Sequence, residues 1–227
     1  MLALATMAAC GDDDDGDDQA DTDTSTGRST VADEPTTTTP FATTLEAVGS
    51  GELDGVTVAA ELVVDGATLQ LTYRLENASD RTLLVGDAVA APEGATHGPD
   101  PTGAWVTASS QGFVTVGKWP VAVPPEGGEG IEALSLYMTQ VEPGASVDGR
   151  IELDWPLQGN HPYLAPDDLP VPLPDPVETL RLCVGVDPLT PEREQAPIVE
   201  EAGRSWLAVP MDQLRGTLCT EPASVVP

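Results

Sequence analysis

From Gly55 onward, apolar and polar residues alternate in short stretches closed by turn residues, the period-two pattern of strands that bury one face. VTVAAELVVDG ends on Asp65-Gly66, a dipeptide suited to a tight hairpin because glycine accepts positive φ. The run after it, ATLQLTYRLENASD, sets Leu69, Leu71, Tyr73 and Leu75 on one face and Gln70, Thr72, Arg74 and Glu76 on the other, as in a half-buried antiparallel strand. Further strand-like runs are TLLVGDAVA, AWVTAS, GFVTVGKW, IEALSLYMTQV, SVDGRIELDWPL, VETLRLCVGV, SWLAVP and LRGTLCT. Pro92, Pro101, Pro124, Pro125, Pro143-Gly144 and the segment LPVPLPDP punctuate them. The best helical candidate, TPEREQAPIVEEAG, is broken by Pro197, which has no N–H to give a helix. No internal repeat is present. Many short strands with frequent Gly and Pro predict an all-β domain over residues 51–227, an antiparallel β-sandwich.

The preceding residues show neither period. From Gly11 to about Val48 the chain is mostly Asp, Thr, Ser, Gly and Pro, with too few large apolar side chains to build a core. Residues 10–50 are therefore expected to be a disordered acidic tether, reaching roughly 35 Å as a flexible coil. Residues 2–9, LALATMAA, are too short to span a bilayer, which needs about 20 apolar residues. They suit the end of a signal-peptide core, so residues 1–9 are expected to be a signal-peptide remnant.

Met7-Ala8-Ala9-Cys10 resembles the lipobox of bacterial lipoproteins, an apolar residue and two small ones before a cysteine. The resemblance implies that the Cys10 thiol receives a diacylglyceryl group and becomes the first residue of the mature protein. Met7 stands where that family has Leu, Val or Ile, and the family's basic segment does not precede the apolar run, which leaves two readings, a true start codon upstream of Met1 or a truncated sequence. Two acyl chains anchor stably where one binds marginally. The implied address is the extracytoplasmic face of the cell membrane, held by lipid.

Charge narrows the partners. The formal net charge is −29, and 11 of the 38 acids lie in residues 11–50, so the domain itself is strongly acidic. Phosphate backbones and anionic head groups repel such a surface, which excludes nucleic acid and electrostatic adsorption to membranes. The Asp block fails as a calcium loop: with Gly16 at loop position 6, Gly11 falls at position 1 and Thr22 at position 12. Lys118 is the only lysine, which reads as a compositional bias with no mechanistic consequence.

Outside the cytoplasm, Cys183 and Cys219 are most simply a disulfide closing a loop of about 36 residues, worth roughly 4 kcal/mol. Two free buried thiols are the alternative, and a metal site would need more ligands than are nearby. YRLENASD and VEPGASVDGRIELDWPL resemble the immunoglobulin-like domains common in secreted bacterial lipoproteins, and are also similar to the BsuPI type of proteinase inhibitor. The resemblance implies an immunoglobulin-like sandwich and says little of activity.

Catalytic patterns are missing. There is no G-x-S-x-G, HExxH, CxxC or phosphate-binding glycine loop. His97 and His161 sit in turn-rich segments, and nothing in the sequence joins His161 to Ser205 or Asp167. Met138 and Met211 stand apart from both histidines, against a copper site. Glu152 with Asp154, Asp167-Asp168 and Glu200-Glu201 are carboxylate pairs of the sort a glycoside hydrolase needs, yet such pairs are expected by chance in an acidic domain. Trp155 and Trp206 read as core, and Trp119 as exposed, so a sugar-stacking platform including Trp105 is disfavoured. The expected role is a binding or scaffolding module at the cell envelope, with no catalytic residue, cofactor or metal, whose partner is an envelope protein or polymer. An envelope hydrolase using clustered carboxylates, or an inhibitor presenting GNHPYLAPDD or LPVPLPDP to a protease, are the alternatives.

Overall fold

The structure, a computed structural model, describes residues 40–91, 98–123 and 134–225. In chain order its strands are β1 (Phe41–Val48), β2 (Val56–Asp65), β3 (Thr68–Asn77), β4 (Leu83–Ala90), β5 (Pro99–Asp100), β6 (Trp105–Ala108) and β7 (Val114–Lys118). There follow β8 (Ser135–Val141), β9 (Ser146–Asp154), β10 (Thr179–Pro188), β11 (Ile198–Glu201), β12 (Arg204–Pro210), β13 (Thr217–Cys219) and β14 (Ala223–Ser224). Helical structure among the described residues is limited to single 3-10 turns. None is long and apolar enough to cross a membrane.

The strands form a β-sandwich. One sheet has the order β1-β2-β3-β9 and is antiparallel throughout; the other has the order β11-β12-β8-β4-β10-β7-β6, with β13 and β14 on β10 and β5 on β4. The chain passes between sheets from β3 to β4 and from β8 to β9, while β3 pairs with β9 and β4 with β8, so two arches stand side by side. The inward positions of the small sheet, including Val56, Val58, Leu62, Leu69, Leu71, Leu75 and Ile151, meet Val114, Val116, Leu180, Leu182 and Val184 of the large one. Alternation in β2 and β3 dictates this, since every second side chain points to the same face. A second cluster, with Leu84, Leu136, Met138, Val209 and Met211, lies on the other face of the large sheet beneath Trp119, Val121 and Tyr163.

The β2-β3 hairpin turns after Asp65 as expected, with Gly66 at φ 59° and Asp65 paired to Thr68. Cys183 and Cys219 are disulfide-bonded, facing each other in register between β10 and β13. Two expectations need correction. The tether does not extend to residue 50: Phe41–Val48 is a full strand, paired from Phe41 with Val64 to Val48 with Thr57. Its threonines read as polar tail, but they are β-branched and fit a pleated edge, while Leu45 goes into the core. The sandwich is also not wholly antiparallel, because β7 and β10 run parallel over Leu180–Val184. All of β7 is buried, the continuous burial that parallel strands require. As expected of a segment broken by Pro197, TPEREQAPIVEEAG forms no helix beyond a 3-10 turn at Arg193–Gln195, which is followed by β11. Residues 1–9, Cys10 and His97 lie outside the described residues.

Candidate functional site

The densest polar chemistry lies between the sheets. On β9, Gly149 is paired with Tyr73 of β3, and a Cβ there would stand 2.1 Å from the ring's Cζ. Only glycine leaves room for the phenol, which crosses the sandwich and donates to the Gly86 carbonyl at 3.3 Å. Burial pushes the Tyr73 hydroxyl far above the usual tyrosine range, and the negative charge of Asp87 adds to the rise.

At that point β4 slips register against β8 between Gly86 and Ala88, leaving Asp87 without a cross-strand partner. The Asp87 carboxylate is buried and is met by three donors from two strands. Its Oδ2 accepts from Thr139 Oγ1 at 2.9 Å on β8, and from Arg204 Nη2 at 2.5 Å and Trp206 Nε1 at 2.8 Å on β12. Arg204 lies over the Trp206 ring, 5.2 Å from its centroid, and its outer half is in solvent.

Lys118 ends β7 and is wholly buried. Its Nζ donates to the carbonyls of Asp87 at 2.6 Å, Pro101 at 2.6 Å and Arg150 at 3.1 Å, which uses all three ammonium protons. Burial pulls its pKa down to about 8, and the Asp87 charge opposes the fall. One nitrogen thereby ties β4, the turn at Pro101, β7 and, across the sandwich, β9. A saturated ammonium and a carboxylate oxygen with three donors are suited to fastening strands rather than to attacking a substrate.

A different feature occupies the outer face of the small sheet. A furrow of about 440 Å³ crosses all four strands at Thr44–Glu46, Ala59–Glu61, Thr72–Arg74 and Asp148–Gly149. Register explains it. One outward row runs Glu46, Ala59, Arg74, Asp148; the next runs Thr44, Glu61, Thr72, Arg150; between them lie the backbones of the inward row Leu45, Ala60, Tyr73, Gly149. Small side chains at Ala59, Thr44 and Thr72 keep the walls low. Arg74 pairs with Asp148 at 3.0 Å and Glu76 at 3.3 Å, and Arg150 with Glu152 at 2.6 Å. Glu46 and Glu61 make no hydrogen bond or ion pair among the described residues.

The residues singled out from sequence are dispersed. His161 is half-buried, accepts at Nδ1 from the Tyr163 amide at 3.1 Å, and has its pKa lowered by burial. It meets neither Ser205 nor Asp167. Glu152 and Asp154 are exposed on the outer face of β9, and Asp167 and Asp168 sit in an exposed turn. Glu200 and Glu201 line a hollow of about 300 Å³ at the β11-β12 turn with Arg204 and Ser205. Trp105 and Trp206 are buried, while Trp119 and Trp155 are half-buried against the two cores, so the four indoles form no platform. Met138 and Met211 pack together in the second cluster. No group of three or more metal-ligating side chains occurs among the described residues. Sequence reasoning missed Tyr73, Asp87, Lys118 and Arg204 as a unit. The available signal was a charge inside two apolar runs, Asp87 in TLLVGDAVA and Lys118 in GFVTVGKW. Comparison of the chain with protein-family models, with curated proteins and with solved structures finds no match.

Proposed function

We propose that this chain is a lipid-anchored, extracytoplasmic binding module, with Cys10 as the acylated residue and the sandwich as the part that meets an envelope protein or polymer. The observation that carries the reading is the furrow on the outer face of the small sheet. It is open, it spans four strands, and it lies on a sheet braced from behind by the Tyr73, Asp87 and Lys118 centre. Rigid elements under a binding face lower the ordering cost of association. The buried charges support binding over catalysis, because their donors and acceptors are already engaged within the fold.

The anchor is tested by detergent-phase partitioning in the native host. Wild-type chain is expected in the detergent phase and Cys10→Ser in the aqueous phase; equal partitioning of the two defeats the anchor. One observation favours the inhibitor as a second reading. In LPVPLPDP, Leu173 packs on the core, and Val177 directly after it is buried, which pins a segment whose Pro170, Pro172 and Pro176 are exposed. A panel of envelope and secreted proteases assayed with the full chain separates the two: nanomolar inhibition, abolished by substitutions at Pro170 and Pro172, would establish the inhibitor.

A further inference from the structure

We propose that the furrow receives an extended basic polypeptide segment, with a lysine or arginine side chain lodged between Glu46 and Glu61. The inference rests on the binding-module reading and names the site and the chemistry of the partner. Glu46 on β1 and Glu61 on β2 are diagonal neighbours, since Glu46 pairs with Ala59 and Glu61 with Thr44. Diagonal positions on adjacent antiparallel strands lie about 7–8 Å apart, a gap that one ammonium or guanidinium can bridge. Both residues line the furrow, one in each of the two outward rows that bound it. Both are exposed and neither has a cation, whereas both arginines of this face are held by acids.

Charge decides among occupants. A second copy of the chain would bring another strongly acidic surface to the furrow. The segment preceding β1 is no better, because residues 11–40 hold ten acids and a single cation, Arg28. Like charges brought together at an interface repel and suppress association, so both are poor occupants. Shape favours an extended chain. Four strands at about 4.8 Å spacing make a furrow roughly 14 Å long, the length of four or five extended residues. The shallow walls at Thr44, Ala59 and Thr72 admit a backbone, and the two free acids at one end fix where its cation goes.

The test uses the full-length chain in non-ionic detergent and a fluorescent octalysine peptide, with octaglutamate as the negative probe. Because an acidic protein attracts any polycation, the control removes the same charge elsewhere: Glu194 and Glu200 are exposed, lie outside the small sheet and the furrow, and make no ion pair among the described residues. Glu46→Gln with Glu61→Gln is expected to weaken octalysine binding at least about tenfold, and Glu194→Gln with Glu200→Gln less than about twofold. Carbodiimide cross-linking followed by peptide mapping should place the probe on Glu46 or Glu61. Equal weakening by the two double variants, no weakening by either, or no binding at all overturns the proposal. Because all four side chains are exposed, the variants should keep the wild-type circular dichroism spectrum. Partitioning of Cys10→Ser is untouched by any of these outcomes, so failure at the furrow and failure of the anchor are read separately.

Discussion

Replacing Lys118 by methionine sets two large effects against each other. The variant keeps the length of the side chain and removes the ammonium. Relief comes first: a fall in pKa from 10.5 to about 8 corresponds to about 3 kcal/mol of charge-burial cost at about 1.36 kcal/mol per pH unit. Against it, the carbonyls of Asp87, Pro101 and Arg150 lose a donor in a place water does not reach. Each buried acceptor left unpaired costs about 1–3 kcal/mol, and Asp87 loses a nearby positive charge as well. The carbonyls win. Lys118→Met should lower stability by about 3 kcal/mol at pH 7, which moves a urea midpoint down by about 1.5 M for a domain of this size.

The same group gives the comparison a pH signature. The folded pKa lies below the unfolded one, so the cost of burying the charge is fully present below about pH 8 and is relieved as pH rises toward 10.5. Over that window the unfolded chain holds the proton that the folded chain has released, and wild-type stability rises. Tyr73, Tyr137 and Tyr163 have raised values and act in the opposite sense above about pH 10, but they are common to both proteins and cancel in the difference. The gap between wild type and Lys118→Met should therefore widen by about 2–3 kcal/mol from pH 7 to pH 10. Urea titrations followed by tryptophan fluorescence with the disulfide intact measure it. Equal midpoints at pH 7 would refute the carbonyl argument, and a gap that stays constant to pH 10 would refute the buried charge.

Asp87→Asn should cost about 3–5 kcal/mol, since it leaves Arg204 opposite a neutral amide and weakens the bond from Trp206; urea unfolding and a red shift of tryptophan emission report both. Gly149→Ala should destabilise by about 2–4 kcal/mol, because its Cβ falls on the Tyr73 ring, and Tyr73→Leu in the same chain should recover part of that loss. Cys183→Ser with Cys219→Ser opens a loop of 36 residues and should cost about 4 kcal/mol, read as a lower thermal midpoint that reducing agent no longer changes. Asn77→Ala removes donors to the Arg81 and Val141 carbonyls and the acceptor of Ser79, and should cost about 2–3 kcal/mol in the same unfolding assay.

The strands were legible wherever one face is buried. β2 and β3 alternate cleanly, and the Asp65-Gly66 turn follows from the sign of φ that glycine permits. The first strand was not legible, because FATTLEAV sets four small or hydroxyl residues (Ala42, Thr43, Thr44 and Ala47) among its three large apolar ones and follows a threonine run. What makes it a strand is the partner: eight consecutive pairs with β2 supply hydrogen bonds that its own sequence does not advertise. The parallel pairing of β7 and β10 was hidden for a similar reason. The valines and leucines of the two strands point to burial, and say nothing about the direction of the neighbour.

The site was harder to see because its members come from distant segments and are joined only by topology. Lys118 and the Asp87 carbonyl are 31 residues apart, and Asp87 and Arg204 are 117 apart. A lone charge inside an apolar run announces that a partner must exist, since an unpaired buried charge costs several kcal/mol or more. It does not say which strand supplies that partner. Here the answer depends on a register slip in β4 and on a glycine in β9, two local irregularities without which Asp87 would sit in the ordinary ladder and Tyr73 would have no room. The furrow obeys the same logic on the outside: Glu46 and Glu61 belong to different runs, and only the antiparallel register of β1 against β2 makes them diagonal neighbours. Ionic centre and furrow are therefore two faces of one arrangement, because the row whose backbones floor the furrow, Leu45, Ala60, Tyr73 and Gly149, is the row whose Tyr73 reaches through the sandwich to β4. A substitution that moves Tyr73 should alter binding at the furrow as well as stability, whereas one that loosens β13 should alter stability alone.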